Sequence, residues 1–221
     1  MTPLVVAIDG PAGSGKSTVG RAVADRLGLD YLDTGAMYRA VTLGVLRRGS
    51  SPHDVDAVAA AVGEIEIEVS DDGVRVDGSD ATAEIRGREV TGSVSAVAAN
   101  SAVRAHLVAV QRAWAAERGG GVLEGRDIGT VVFPDAVAKV FVTASPRVRA
   151  QRRVDQLGGD LDEVEAAIIE RDRLDSTRED SPLSAAENSL VVDTSEMSID
   201  EVVDVVVSHV MSAGEPPVGA R

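Results

Sequence analysis

The chain is predicted to fold as an α/β domain, a parallel sheet with helices on both faces, and three observations predict it. Short apolar runs alternate with helical stretches along most of the 221 residues. A glycine-rich loop lies between the first apolar run and the first helical one. Helix-start signals recur behind the later apolar runs.

The elements follow in chain order. Residues 4–8 form an apolar run of buried-strand type, and residues 17–27 carry Val19, Val23 and Leu27 on one helical face before Gly28, a helix C-cap. A short strand at residues 31–32 precedes a long helix near residues 37–46. Strands then follow at 122–123, 138–142 and 190–192, with helices from Pro146, near 164–174 and near 199–210. Ser145 before Pro146 supplies an N-cap with proline in the first turn, while Asp160 with Glu163 and Ser198 with Glu201 have capping-box spacing.

Residues 64–86 break the series. Ile65, Ile67 and Val69 alternate with polar residues, Asp72-Gly73 turns the chain into Val74 and Val76, and a second turn follows near Gly78. This is an antiparallel meander. It reads as an insertion over the C-terminal edge of the sheet, where open α/β sheets bind ligands, or as a hairpin with no catalytic part. Residues 212–221, with Gly214, Pro216, Pro217 and Gly219, are expected to be a disordered tail.

Composition bounds the chemistry. The length suits one domain with a small insertion. Cysteine is absent and His53, His106 and His209 are scattered, so thiolate and zinc-motif sites are excluded, and a metal here is expected to be oxygen-bound Mg2+ arriving with a nucleotide. A net charge of -14 argues against nucleic acid or a membrane surface as partner. With no signal-type start and no apolar run of membrane-spanning length, a soluble cytoplasmic protein is expected. Lys16 and Lys139 are the only lysines among 22 basic residues.

Lys16 lies in Gly10-Pro11-Ala12-Gly13-Ser14-Gly15-Lys16-Ser17, which matches G-x-x-x-x-G-K-[ST] throughout. In this motif the glycines let successive N–H groups face phosphate oxygens, the lysine reaches the β- and γ-phosphates, and the serine hydroxyl ligates Mg2+. The helix N-terminus behind it adds its own attraction for anions, with Thr18 in its first turn. A nucleoside triphosphate is therefore the expected ligand.

Two further segments end strands on the same edge. Residues 33–39 place Thr34 and Arg39 at a helix start, where Arg39 could hold an acceptor phosphate. Gly125-Arg126-Asp127-Ile128-Gly129-Thr130 sets a cation beside a carboxylate between glycines, after Glu124, which suits the water shell of Mg2+.

These stretches, with residues 125–136 and Glu170-Arg171-Asp172, resemble the bacterial cytidylate kinase family of the nucleoside-monophosphate kinases, from the first strand to about Val210. The resemblance implies a P-loop kinase with a central parallel five-stranded sheet flanked by helices. It also implies a small antiparallel monophosphate-binding insertion and a short helical lid. One domain over residues 1–211 is expected, with a core of about 1–36, 87–145 and 180–211, an insert of about 37–86 and a lid of about 146–179. The implied reaction moves the γ-phosphoryl of ATP to CMP or dCMP, with Mg2+, in a monomer.

By the same resemblance Gly10, Pro11, Ala12, Gly13, Ser14, Gly15, Lys16, Ser17 and Thr18 bind ATP. Thr34, Arg39 and Arg126 hold the CMP phosphate, while Ser95, Arg104 and Asp127 read the cytosine edge. Arg171, Asp175 and Arg178 contact CMP or the transferring group. Arg149, Arg152 and Arg153 fall in or beside the lid, with Arg149 and Arg153 expected at ATP. Lys16, Arg126, Arg171 and Arg178 are the expected catalytic set, and Ser17 the metal ligand. Cytosine offers an amine donor beside a ring acceptor and uracil reverses that edge, so a carboxylate such as Asp127 fits cytosine.

Other acceptors remain open from the residues themselves: UMP, AMP, or a metabolite hydroxyl with Asp33 as its base. A guanine-nucleotide switch would show N-K-x-D, and neither Asn100 nor Asn188 precedes a lysine.

Overall fold

The first apolar run forms β1 (Leu4–Asp9), buried from Val5 onward. Its lack of a polar face follows from its position, since it pairs in parallel with β6 (Gly120–Gly125) on one side and β7 (Ala138–Thr143) on the other. β8 (Leu190–Asp193) continues the sheet beyond β7, and β2 (Tyr31–Asp33) completes the order β2-β6-β1-β7-β8. The expected five-stranded sheet is present.

The computed structural model describes residues 3–70 and 72–213. The chain divides into two compact units, one of Met1–Tyr31 with Ala115–Arg221 and one of Leu32–Trp114.

In the larger unit α1 (Lys16–Leu27) and α8 (Ile199–Ala213) pack together beside the sheet. With only five aromatic residues in the chain, the core is built from valines such as Val6, Val23, Val140, Val192, Val206 and Val210. Valine has one stiff side-chain torsion and fits a pleated surface, and burying one fully stabilises by about 1.5–3 kcal/mol.

Local signals set the helix ends. Gly28 is left-handed at φ 65° and returns its N–H to Ala24 and Asp25. Ser145 caps α6 (Pro146–Leu157) by accepting from the Val148 N–H, and Asp160 caps α7 (Leu161–Thr177) by accepting from Asp162 and Glu163. Gly158 and Gly159 take positive φ between these two helices, which pack as a hairpin. Ser198 and Glu201 form the reciprocal capping box of α8: the Ser198 N–H donates to Glu201 at 2.9 Å and the Glu201 N–H to Ser198 Oγ at 3.3 Å. One boundary is corrected. Ser212 and Ala213 belong to α8, with the Ser212 hydroxyl donating to the Ser208 carbonyl at 2.7 Å. Residues 214–221 of the expected tail lie outside the described residues.

In the smaller unit α2 (Thr34–Arg47) starts on Asp33, whose carboxylate accepts from the Ala36 N–H at 2.9 Å. The meander is a three-stranded antiparallel sheet of β3 (Ile67–Ser70), β4 (Gly73–Val76) and β5 (Ser79–Asp80). Asp77 and Gly78 both take positive φ, as a two-residue hairpin turn of this hand needs. Arg48 fixes that turn through Asp77 at 2.8 Å and the Glu64 carbonyl at 3.0 Å. At Gly44 a side chain would meet Ile65 at 2.6 Å, so glycine there lets Ile65 lie against α2. Three helices occupy stretches left unassigned by the sequence pattern: α3 (Val55–Val62), α4 (Arg88–Ala98) and α5 (Ser101–Arg118).

Candidate active site

The phosphate loop leaves β1 at Gly10 with φ 147°, and a side chain there would sit 2.0 Å from the Val142 carbonyl oxygen. Only glycine permits this path. The loop's own carbonyls are held from outside: Ala12 accepts from Arg149 at 3.2 Å, and Ser14 from the Thr194 hydroxyl at 3.1 Å. In a trans peptide the N–H opposes the carbonyl, so the N–H groups of Gly13 and Gly15 are turned the other way, into the loop. Gly15 is left-handed at φ 92° and passes directly into α1, whose N-terminus reinforces that positive end.

Lys16 is buried, and its ammonium donates to the Pro11 carbonyl at 2.7 Å. Burial first, and the Arg126 guanidinium second, push it down to about 7, against the pull of Glu124 and Asp9. An anion in the loop would reverse that balance. The Ser17 hydroxyl donates to Glu124 Oε1 at 2.7 Å. This pair offers hard oxygen donors that fit Mg2+. Among the described residues no three His, Cys, Asp or Glu side chains form a metal cluster, so a Mg2+ ion here would depend on nucleotide oxygens for its remaining ligands.

Beyond β6, Arg126 donates from Nε to Asp175 at 3.1 Å, and Arg178 stands 3.9 Å from Asp127 while donating to the Ser181 carbonyl at 2.6 Å. Burial, with Arg126 and then Arg153 as further causes, pushes Arg171 down to about 10, while Asp175 and Asp172 oppose. The larger unit thus gathers Lys16, Arg126, Asp127, Arg171, Asp175 and Arg178. Asp175 and Asp127 each pair with one of these arginines, so four cations share two carboxylates, and the excess falls on Lys16 and Arg171, whose charged forms burial and Arg126 disfavour.

The three arginines of α6 expected in or beside a lid divide. Arg149 is 3% exposed and spends its guanidinium on the Ala144 carbonyl at 2.8 Å, the Ala12 carbonyl and Asp172 at 2.6 Å. It braces the phosphate loop from behind. Arg152 donates to Thr194 Oγ1 at 3.1 Å and to the Thr194 carbonyl at 2.6 Å, so it supports the loop through Thr194. Arg153 is half-buried on α6.

Two residues without an expected role emerge. Thr194 joins Arg152 to Ser14, and no local pattern announces it. Asp9 ends β1, and its two carboxylate oxygens accept from the Ile128 N–H at 2.8 Å and the Gly129 N–H at 2.7 Å.

In the smaller unit Thr34 is buried in the first turn of α2. Arg39 donates to the Ile85 carbonyl at 3.0 Å and the Thr91 hydroxyl at 2.9 Å. Arg104 is 4% exposed, donates to the Ala98 carbonyl at 3.3 Å and lies over the Tyr38 ring at 5.5 Å. Ser95 is half-buried on α4. Asp33 is committed to capping α2, and Arg86 lies 4.0 Å from its carboxylate.

Comparison with known proteins gives one family. The family model described as cytidylate kinase matches residues 6–212. A cytidylate kinase of Corynebacterium efficiens is 54% identical over 208 residues, covering 90% of each chain. One of Mycobacterium leprae is 50% identical over 225 residues, covering 100% of this chain and 99% of its own. Among solved structures, a gluconokinase from Sinorhizobium meliloti matches with a TM-score of 0.51 at 17% identity over 96% of this chain and 93% of its own, a likeness of fold alone.

Proposed function

The chain belongs to the cytidylate kinase family of phosphotransferases, and we propose that it transfers the γ-phosphoryl of ATP to CMP or dCMP, giving ADP and CDP or dCDP. The observation that carries this reading is the gathering of Lys16, Arg126, Arg171 and Arg178 beside Asp127 in one unit. Its excess of positive charge, felt at Lys16 and Arg171, suits phosphate groups as ligands.

Phosphoryl transfer asks the protein mainly for position and charge, and a single arginine at the transition state contributes ~10^3 to 10^5 in rate. Residues Gly10 to Thr18 hold the ATP phosphates, with the loop N–H groups and Lys16 on the β- and γ-oxygens. Ser17 and Glu124 are the oxygens that would hold Mg2+, which when bound neutralises charge between the β- and γ-phosphates. An oxygen of the CMP phosphate attacks the γ-phosphorus in line, and the bond to the β-γ bridging oxygen breaks. That acceptor oxygen is already ionised, so no general base is needed, and Asp33 serves as a helix cap.

CMP contacts are assigned residue by residue. Thr34, Arg39 and Arg126 take the phosphate, Ser95, Arg104 and Asp127 the base, and Arg171, Asp175 and Arg178 the sugar, phosphate or transferring group. Arg153 is the lid arginine offered to ATP, and Arg149 acts on ATP through the loop it braces. A core of about 1–36, 87–145 and 180–211, an insert of about 37–86 and a lid of about 146–179 belong to the same proposal. No single described helix is long and apolar enough to cross a membrane. The net charge of -14 supports small nucleotides rather than nucleic acid or a membrane surface as ligands, and a cytoplasmic monomer completes the proposal.

The test is ADP release with CMP, dCMP, UMP and AMP as acceptors in the presence of Mg2+ and ATP. CMP and dCMP are expected to stimulate release strongly and UMP and AMP weakly. No stimulation by CMP over water rejects the proposal.

A further inference from the structure

We infer that Asp9 is a positioning residue for base recognition, its carboxylate fixing the loop on which Arg126 and Asp127 stand and releasing Asp127 from capping that loop. The inference rests on the CMP kinase reading and extends it to a residue on a different strand.

Residues Ile128–Val132 form a short π-helical turn directly after Asp127. The first N–H groups of any helical turn have no partner within it, and an aspartate at the preceding position ordinarily supplies one. Asp127 occupies that position, yet its side chain makes no capping bond. Asp9 accepts from the Ile128 and Gly129 N–H groups instead, at 2.8 and 2.7 Å, from 119 and 120 residues away in sequence. The carboxylate proposed to read cytosine is thereby excused from the local bond that would turn it toward its own backbone.

The seat of the loop is tight. Asp9 is 3% exposed, and a side chain at Gly129 would lie 3.2 Å from Lys139 Cγ, so the loop has little room to move toward β7. Keeping a carboxylate there is unfavourable by itself. Burial pushes Asp9 up to about 6, helped by the charge of Asp127 and opposed by the two N–H groups and by Lys16. A hydrophobic residue at the end of β1 would avoid that penalty but leave two buried N–H groups unpaired.

The test is Asp9→Asn, which keeps shape but turns one acceptor into a donor. Amide exchange at Ile128 and Gly129 is expected to accelerate about tenfold or more and the KM for CMP to rise ~10 to 100-fold, several-fold more than the KM for ATP, which changes only through the lost charge of Asp9 near Lys16. Preference for CMP over UMP is expected to shrink, and adding Asp127→Asn to Asp9→Asn to cost less than Asp127→Asn alone, because the two act on one recognition step. Asp9→Ser, which keeps one acceptor, follows in the same direction and decides the matter if Asp9→Asn does not fold. Unchanged exchange at Ile128 and Gly129, equal rises in both KM values, or fully multiplicative effects with Asp127→Asn overturn the inference. Failure of the unsubstituted chain to use CMP rejects the kinase reading instead, and the exchange measurement, which needs no acceptor, still decides the anchoring role.

Discussion

Arg149→Met separates a brace from a ligand contact. Arg149 is buried and makes three hydrogen bonds, at 2.8 Å to Ala144, 3.2 Å to Ala12 and 2.6 Å to Asp172, whose side chain is 23% exposed. Methionine matches the length of the stem but leaves Asp172 and two carbonyls without their donor. Removing one partner of a buried pair costs about 3–5 kcal/mol. In a chain of this size each kcal/mol shifts Tm by about 2–4 °C, so Tm is expected to fall by about 6–20 °C. Removing the stranded carboxylate as well, in Arg149→Met with Asp172→Leu, is expected to recover a large part of that loss, since an apolar pair often replaces a buried ion pair at little cost. Thermal unfolding of the single variants and the double variant gives the coupling energy, and ATP titration below the lowered Tm gives the effect on nucleotide. The double variant still lacks the bond to Ala12, so its ATP affinity stays reduced while its stability recovers. A Tm change under about 2 °C in Arg149→Met, accompanied by a large loss of ATP affinity, would refute the bracing argument and make Arg149 a direct phosphate contact.

Other outcomes follow from the same geometry. Lys16 is held at about 7 rather than 10.5, so between those values the unfolded chain binds the extra proton and the cost this group places on folding shrinks as pH rises. Nucleotide binding reverses the sign: at pH 8 ATP is expected to draw up to one proton onto Lys16, measurable by calorimetry in buffers of different ionisation enthalpy, and zero uptake contradicts the assignment. Lys16→Ala is expected to abolish that uptake and to cripple transfer while far-UV circular dichroism stays unchanged; near-normal turnover would mean that the phosphate loop is misassigned. Asp127→Ala is expected to raise the KM for CMP and to reduce CMP over UMP preference by ~10 to 100-fold, the worth of one hydrogen bond to a charged group. Unchanged acceptor preference removes Asp127 from base reading.

Much of the fold was legible because its signals are local. The capping box of Ser198 and Glu201, the left-handed Gly28 and the Asp77-Gly78 turn each involve residues within a few positions of one another, and each formed as its spacing implies. Residues 88–118 were opaque for the converse reason. Their helices are rich in Ala, Val and Ser, and the break between them at Asn100 is made by a side chain that caps α5 through the Ala102 N–H while donating to the distant Val55 carbonyl. Alanine favours helix throughout that stretch, but nothing local marks where one helix ends and the next begins.

The sequence by itself determined the phosphate loop, since every residue needed to fold a backbone around phosphates is contiguous from Gly10 to Ser17. It also determined the parallel sheet, because strands buried on both faces must be apolar throughout. Tertiary structure alone decided how arginines and carboxylates divide their work. Arg149 and Arg153 are indistinguishable as members of one basic helix, yet Arg149 is buried against Ala12 and Asp172 while Arg153 is only half-buried beside Arg171. Asp9, the last residue of β1, and Asp127, just beyond β6, are equally plain aspartates at strand ends. Which one caps the turn at Ile128 depends on β1 and β6 lying side by side, a proximity that pairing across more than a hundred residues creates and local spacing does not encode.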